Sequence, residues 1–331
     1  MTKKGLVLEG GAMRGMFTAG VTDVLFEEGI RFDGAIGVSA GAAFGCNFKS
    51  EQPGRAIRYN LAYCRDKRYC SLYSLITTGD LYGADFCYRK IPFELDPFDT
   101  KKFSENPMEF YVVCTDVNTG KPVYRKCENG DGKDLLWFRA SASMPLVSKI
   151  VEADGSFLLD GGISDSIPLE FFEKLGYNRN VVVLTRPKGY IKEKHRLMPV
   201  FKIILRKYPE LGKAICNRPD LYNSETKYVF EAGKKGNAFI ICPPSPLPVK
   251  RIDHSYCITI HKAQGSEFDV VIMIVPQAAP MLLTRNLLYT GLTRAKKLLI
   301  VIGNDRVVDF MINNVDSKKR NTGLEYKLKN T

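Results

Sequence analysis

The pentapeptide GVSAG, at residues 37 to 41, places a serine where it could act as a nucleophile. Gly37 and Gly41 flank Ser39 at two residues to either side, and this spacing permits the tight strand-to-helix turn that exposes a serine hydroxyl. The stretch FDGAIGVS that ends at the serine is typical of a strand, and the stretch AGAAFGCNF after it is typical of a small-residue helix. An ordinary glycine-rich loop is the alternative. The position between a strand and a helix favours Ser39 as an enzymatic nucleophile.

A serine hydroxyl needs a neighbouring base to take its proton, and that base is usually histidine. The chain has three histidines, His195, His254 and His261, and none of them precedes residue 195. His195 stands between Lys194 and Arg196 in a basic stretch. A Ser-His-Asp triad is therefore hard to assemble, and a carboxylate has to be considered as the base.

Asp160 is the carboxylate that best fits this role. It follows an apolar run in LLDGG, residues 158 to 162, and the two glycines after it let the backbone turn and a partner approach. An aspartate with an ordinary pKa of roughly 3.9 is a weak base, so the pocket must raise that pKa or hold a very short hydrogen bond. Taken alone, the DGG tripeptide favours a simple turn, and the case for Asp160 depends on its combination with Ser39.

The glycine-rich segment EGGAMRG, residues 9 to 15, is the third element of the predicted site. Backbone amides of such a loop at a helix N-terminus can face the negative charge that develops in acyl transfer. Gly10, Gly11, Ala12, Arg14 and Gly15 are therefore candidate oxyanion and substrate-binding residues. A dinucleotide fingerprint is the rival interpretation, but aligning it on Gly10 and Gly15 puts Ala12 where pyrophosphate requires a glycine.

Hydrophobic patterning predicts an α/β domain with a largely parallel sheet. Strands are predicted at GLVLEG, FDGAIGVS, EFYVVCTDV, PVYRK, SFLLDGG and NVVVLTR, with helices between them, the first running from Arg14 to Glu28. Two consecutive strand-to-helix turns with glycine at the bend support this class. The proline-rich segment PPSPLP, residues 243 to 248, marks a boundary, so the first domain is predicted to span residues 1 to 253.

The formal net charge of +12 favours acidic partners. These are an anionic lipid surface or nucleic acid, and the alternative is a basic surface without a polyanionic partner. The stretch from Gly189 to Asn223 is rich in lysine and arginine and carries an apolar stripe through Val200, Phe201, Ile204, Leu205 and Leu211. It is either a helix that packs on the core or a surface that sits on anionic lipid.

Cysteine usage and the apolar runs predict the compartment. The nine cysteines form no CxxC pair, which indicates reduced thiols in a reducing compartment. The N-terminus lacks the apolar length of a signal peptide, and the longest apolar run, VVIMIV, is too short to span a membrane. We therefore expect a cytoplasmic protein whose membrane contact is peripheral. No histidine stands at ligand spacing beside a cysteine, so no zinc site is expected.

The three motifs together resemble the patatin-like phospholipase family, in particular its bacterial cytoplasmic branch, over about residues 5 to 253. The family's glycine-rich loop, G-x-S-x-G elbow and D-G-G/A motif are matched in order, and ASASMP at residues 140 to 145 also resembles the family. Ala12 departs from the commoner third glycine. The resemblance implies a three-layer α/β/α fold, a Ser39–Asp160 dyad, an acyl-enzyme, fatty-acyl esters of glycerolipids as substrates, and neither metal nor cofactor.

Beyond His254 the resemblance changes. ITIHKAQGSEFD, residues 258 to 269, and LLYTGLTRAKKLLIVIG, residues 287 to 303, resemble the last two motifs of superfamily 1 DNA helicases of the UvrD and RecD type. In that family the arginine that Arg294 matches reaches the nucleotide's γ-phosphate. The chain contains no G-x-x-x-x-G-K-[ST] loop, so it does not encode an ATP-driven motor.

Residues 254 to 331 are therefore predicted to be a small α/β fragment. DVVIMIVP, LLTRNLLYTGLTRAKK, LLIVIG and VVDFMINN are predicted to be strand, helix, strand and helix. The fragment is a packing appendage, a DNA- or nucleotide-binding module, or a piece that completes a partner, and we favour the first. Eleven lysines and arginines against six acids permit nucleic-acid binding, so an accessory protein that binds nucleic acid is the alternative function.

Overall fold

The structure is a computed structural model that describes residues 2–193, 206–247, 268–275, 285–303 and 305–314. The chain divides into two compact units, residues 1–253 and residues 254–331. The three histidines lie outside the described residues, as does the apolar stripe from Val200 to Leu205.

An eight-stranded sheet forms the centre of the first unit. Its strands are β1 (Lys3–Leu8), β2 (Gly34–Val38), β3 (Glu109–Asp116), β4 (Pro122–Cys127), β5 (Val151–Ala153), β6 (Ser156–Asp160), β7 (Tyr177–Val183) and β8 (Ala238–Ile241). The order across the sheet is β5-β6-β3-β2-β1-β7-β8, and β4 pairs with β3. The pairs from β3 through β2, β1 and β7 to β8 are parallel, whereas β4 and β6 run antiparallel to β3. The expected mainly parallel α/β sheet is confirmed.

Helices cover both faces of this sheet. They are α1 (Gly15–Glu27), α2 (Ala40–Lys49), α3 (Arg55–Tyr63), α4 (Leu72–Thr78), α5 (Thr100–Glu105), α6 (Gly132–Ser141), α7 (Leu169–Lys174) and α8 (Pro209–Lys234). Helices α1, α2, α5 and α6 pack on one face, and α7 and α8 pack on the other. No helix among the residues that the structure describes is long and apolar enough to cross a bilayer.

The central strands are apolar along their buried lengths because both of their faces are covered by helices. In β1, Leu6 and Leu8 contribute to the core under α1 and α2, whereas Val7 contributes to the core under α7 and α8. Successive side chains of a strand point to opposite faces, so one short strand serves both cores. This double burial holds the carboxyl ends of β1 and β2 rigidly at one edge of the sheet.

Helix α8 is the element that sequence patterning placed least well. Its first part overlaps the basic stretch that ends at Asn223, and there Leu211 and Ile215 are buried, so this part is a helix packed on the core. The helix continues through Pro219 to Lys234. The short strands β5 and β8 were not predicted, because three or four residues are too few for a period to show.

The second unit contains a parallel pair of strands, β9 (Phe268–Val275) and β10 (Ala295–Gly303). Helix α9 (Arg285–Leu292) lies between them in the chain, and α10 (Asp305–Asn313) follows. The predicted order of strand, helix, strand and helix is present. The predicted helix ends earlier than its pattern suggested, since β10 already includes Lys296 and Lys297.

Candidate active site

Ser39 lies at a sharp turn between β2 and α2. Its φ is +54°, a region that non-glycine residues rarely adopt and that costs free energy. The Ser39 amide donates to Oγ of Ser141 over 2.8 Å, and that hydroxyl donates to the carbonyl of Val113 over 2.6 Å. The turn is therefore tied to the neighbouring strand β3 and to helix α6, which hold the nucleophile in its strained conformation.

Gly37 and Gly41 are required at this turn because the backbone approaches too closely for a side chain. A Cβ at Gly37 would lie 2.6 Å from the amide nitrogen of Ala42. A Cβ at Gly41 would lie 2.3 Å from the carbonyl oxygen of Leu8. The two predicted elbow glycines thus let α2 begin directly against the ends of β1 and β2.

The structure brings Ser39 and Asp160 together. Oγ of Ser39 donates to Oδ2 of Asp160 over 2.7 Å, and both residues are buried, with exposed fractions of 7% and 5%. The other carboxylate oxygen of Asp160 accepts the Gly162 amide over 2.8 Å. Its backbone is fixed by a bond from its own amide to Ser143 and by a bond from the Thr115 hydroxyl to its carbonyl. Two hydrogen bonds therefore orient the carboxylate, and two more fix the backbone that carries it.

Burial raises the pKa of Asp160 above its ordinary value, because removing a carboxylate from water disfavours the charged form. The positive charge of Arg218, the hydrogen bonds from Ser39 and Gly162, and the charge of Lys192 act in the opposite direction. The net upward direction makes Asp160 a better proton acceptor than a solvent-exposed aspartate.

The glycine-rich loop lies directly against the nucleophile. A Cβ at Gly10 would lie 3.1 Å from Cβ of Ser39, and one at Gly15 would lie 2.7 Å from Cβ of Ala40. Between these glycines Ala12 has φ +47°, so it adopts a conformation that glycine would adopt at lower cost. The loop then passes through a short 3-10 turn, Ala12–Arg14, into α1.

Arg14 is half-buried at the end of that 3-10 turn. Burial and the charge of Arg186 lower the pKa of Arg14, while the charge of Glu9 acts against this. Glu9 is buried and accepts the Thr185 amide over 2.5 Å and the Tyr222 hydroxyl over 2.9 Å. The loop is thus anchored through Glu9 to the segment that follows β7 and to α8.

An apolar cleft opens beside Ser39, and residues 55–98, to which sequence analysis assigned no role, supply nine of its twenty lining residues. The cleft has a volume of about 100 Å³. Its aromatic and aliphatic lining comes mainly from α2, α3, the π-helical segment Phe86–Leu95 and α6, and includes Phe44, Tyr59, Tyr88, Ile91, Phe138 and Met144. The density of tyrosines between residues 59 and 88 was the available signal.

Two cations near Asp160 were also missed. Arg218 lies on α8, and a Cβ at Gly162 would be 3.2 Å from its Nη2 and 3.0 Å from Oδ1 of Asp160. Lys192 follows β7, and burial together with the charge of Arg218 lowers its pKa to about 8. Nothing in the local pattern of a lysine- and arginine-rich stretch distinguishes the cations that turn inward from those that remain in water.

Three family models match parts of the chain. A patatin-like phospholipase model matches residues 6–172, a model of a domain of unknown function (DUF6363) matches residues 208–256, and a UvrD-like helicase C-terminal model matches residues 254–302. The first covers the glycine loop, the elbow and Asp160. The second covers α8 and β8, and therefore Arg218.

Curated relatives match separate parts. The uncharacterized protein YjjU of Escherichia coli is 28% identical over 254 residues, which are 73% of this chain and 69% of that protein. The uncharacterized protein MJ1519 of Methanocaldococcus jannaschii is 43% identical over 76 residues, 23% of this chain and 6% of that protein. The RecBCD enzyme subunit RecD of Mycobacterium tuberculosis is 38% identical over 117 residues, 34% of this chain and 20% of that protein. The chain thus spans only a small part of MJ1519 and RecD.

Proposed function

The chain belongs to the patatin-like phospholipase family, a family of lipid acyl hydrolases, and we propose that it cleaves fatty-acyl esters through a Ser39–Asp160 dyad and an acyl-enzyme. The observation that carries this proposal is the 2.7 Å hydrogen bond from Ser39 to Asp160. It lies in a buried site beside an apolar cleft, where an acyl chain and a reacting carbonyl can meet.

The reaction needs only groups that the site holds. Asp160 takes the Ser39 proton while Oγ attacks the ester carbonyl carbon, and the carbonyl π electrons move to its oxygen. Collapse of this intermediate expels the alcohol, which receives the proton from Asp160. Water then gives its proton to Asp160 and attacks the acyl-enzyme, and the departing Ser39 recovers that proton as the fatty acid leaves.

Backbone amides of the loop from Gly10 to Gly15 are the proposed donors to the oxyanion. The loop passes so close to Ser39 that a Cβ at Gly10 would crowd the serine side chain. It leads into the N-terminal end of α1, where amides and the helix dipole favour negative charge. Arg14 adds a positive charge at the same place. Gly11 permits close packing here too, since a Cβ at that position would lie 2.6 Å from Oγ1 of Thr185.

The apolar cleft supports a fatty-acyl substrate of the phospholipase A or lysophospholipase type. Tyr59 and Tyr88 line it, as do Phe138 and Ile91, so a hydrocarbon chain that leaves the carbonyl at Ser39 would be transferred from water to an apolar surface. Each methylene buried in this way contributes about 0.8 kcal/mol. The cleft therefore favours acyl esters longer than acetate.

Peripheral contact with an anionic membrane is part of the proposal. Helix α4 exposes Leu72, Tyr73 and Ile76 to solvent, with exposed fractions of 72%, 57% and 84%. Two exposed lysines lie next to this helix: a Cβ at Gly79 would be 2.7 Å from Cε of Lys149, and the carbonyl of Lys67 accepts the Ser71 hydroxyl. An apolar helix face beside basic side chains suits the interface of an anionic bilayer.

The test is hydrolysis of p-nitrophenyl acyl esters by the full chain, by Ser39→Ala and by Asp160→Asn. We expect each substitution to lower kcat by roughly 10³-fold or more, because nucleophile and base act as one unit. Ser104→Ala, at an exposed serine of α5, is the matched control and should keep the parent rate. Folded Ser39→Ala protein that hydrolyses esters as fast as the parent would refute the dyad.

A second candidate function belongs to residues 254–331. The UvrD-like helicase C-terminal match covers residues 254–302, and RecD is among the relatives. We propose that this unit contacts nucleic acid through its excess of positive charge.

A further inference from the structure

Four half-buried cations gather around the end of β1 and beside Asp160: Arg14, Arg186, Lys192 and Arg218. They come from the glycine loop, from the segment after β7 and from α8. Each of the two from the segment after β7 lies against an aromatic ring. The Arg186 guanidinium is 4.3 Å from the centroid of Tyr190, and Nζ of Lys192 is 4.3 Å from the centroid of Tyr222. The rings of Tyr190 and Tyr222 contact each other edge to face, and this packing holds the two aromatic surfaces on which the cations lie.

The acids near these cations are Glu9, Asp160 and the neighbouring pair of Glu225 and Asp165. Glu9 accepts the Thr185 amide and the Tyr222 hydroxyl. Glu225 lies beside Asp165, and burial together with this second carboxyl raises the pKa of Glu225 well above the ordinary range. Two carboxyl groups that share a buried site do not both ionise near neutral pH. Even with Glu9 and Asp160 ionised and one charge on the Glu225 and Asp165 pair, the four cations outnumber the three negative charges near them.

Two further features of this cationic cluster favour a bound anion. Within the part of the chain that the structure describes, the buried Nε atoms of Arg14 and Arg218 have no hydrogen-bond partner. The charge of Arg186 lowers the pKa of Arg14, and the charge of Arg218 lowers the pKa of Lys192. Unsatisfied buried donors and crowded like charges both cost free energy, and one bound anion would relieve both.

We propose that Lys192, Arg186 and Arg218, with Arg14 at their edge, form a subsite for the phosphate of a phospholipid or lysophospholipid head group. The proposal rests on the proposed hydrolase function and specifies its substrate class. Arg218 lies against Gly162, two residues from Asp160, so the phosphate would sit close to the scissile ester. Arginine forks and a lysine ammonium are the groups that proteins use for phosphate esters. The apolar cleft and this cationic subsite then flank Ser39 with the two chemistries of one lipid.

The first test compares two soluble esters, hexanoyl glycerol phosphate and hexanoyl glycerol, which differ only in the phosphate. We expect the parent to prefer the phosphate ester in kcat/KM, and Lys192→Met or Arg186→Gln to reduce that preference about tenfold to hundredfold, as for a lost charge-assisted contact. Lys101→Met, at an exposed lysine of α5, is the control for general surface charge. An unchanged preference in both variants, or an equal loss on both esters, overturns the subsite.

If neither ester is hydrolysed, the hydrolase proposal has failed. A second test then examines anion binding at the subsite without depending on hydrolysis. Glycerol phosphate and inorganic phosphate are titrated into the full chain by calorimetry near pH 8, in two buffers of different ionisation enthalpy. A bound anion raises the pKa of Lys192, so binding should take up protons, and Lys192→Met should abolish this uptake. Tighter binding of glycerol phosphate than of inorganic phosphate identifies a head-group site. Absence of binding, or equal binding of both, overturns it.

Discussion

Ser39 and Asp160 both adopt states that cost free energy of folding, one in backbone conformation and the other in lost solvation. Ser39 holds a positive φ, and Asp160 holds a carboxylate with an exposed fraction of only 5%. Because the pKa of Asp160 is raised in the folded state, its ionisation destabilises the fold as the pH rises from 3.8 through the raised pKa. The remaining structure must compensate for both costs.

The pH dependence of hydrolysis follows from this residue. Asp160 acts as a base only when deprotonated, so kcat should fall as the pH is lowered through its pKa, with a midpoint above the ordinary aspartate value of 3.8. The residual rate of Asp160→Asn should show no such midpoint. Fluorescence of the single, buried Trp137 would report unfolding at each pH and separate it from titration. A midpoint at or below 3.8 in folded protein would contradict the role of Asp160 as the base.

At the scale of elements, α8 contributes side chains to the site although it lies outside the patatin-like match. That match ends at residue 172, whereas α8 lies in residues 208–256, which a separate model covers. The helix supplies Arg218 beside Gly162 and Tyr222 to Glu9, so it closes the side of the site away from the apolar cleft. The site is therefore built from two matched segments of the first unit.

Helix α4 is the element that we expect to bind membranes. The double substitution Leu72→Ser and Ile76→Ser should lower partitioning to vesicles of phosphatidylcholine and phosphatidylglycerol in equal parts by about tenfold or more, since burial of each side chain contributes about 1.5–3 kcal/mol. Val24→Ser with Ile30→Ser removes two exposed apolar side chains elsewhere and serves as the control. Equal binding of both double variants, measured by co-sedimentation, would exclude α4 as the contact.

At the scale of the whole molecule, the proposed dyad and the helicase-like segment fall in different units. Ser39 and Asp160 lie within residues 1–253, and the UvrD-like match begins at residue 254. All residues argued above for ester hydrolysis belong to the first unit. We therefore predict that ester hydrolysis depends on residues 1–253 and that nucleic-acid binding depends on residues 254–331.

A chain ending at Asp253 should keep the ester hydrolysis of the full chain within about threefold, because the parent and the truncated protein contain the same dyad and cleft. The full chain should bind double-stranded DNA with an affinity that falls steeply with salt, and the truncated chain should lose that binding. Filter binding at several salt concentrations measures the second effect. Loss of hydrolysis in a folded truncated chain would show that residues 254–331 support the active site, and equal DNA binding by both chains would exclude these residues as the contact.

The sequence by itself determined the class of fold, the order of most elements and the three motifs of the site. These depend on local requirements: apolar runs for buried strands, glycine where Gly37 and Gly41 meet another backbone, and an acid at the end of β6. Such requirements are visible over five to eight residues. The fold class is confirmed, whereas the catalytic roles of Ser39 and Asp160 stay predictions.

Only the tertiary structure decided which distant side chains surround that dyad. Arg218 lies against Gly162 across 56 positions of sequence, and the cleft is lined mainly by side chains from α2 to α6. Burial, close approach and the resulting pKa shifts depend on which layer a helix packs against, and a basic amphipathic pattern is the same whether its cations point to water or to an anion. The cleft and the cationic subsite therefore emerge from packing, not from pattern.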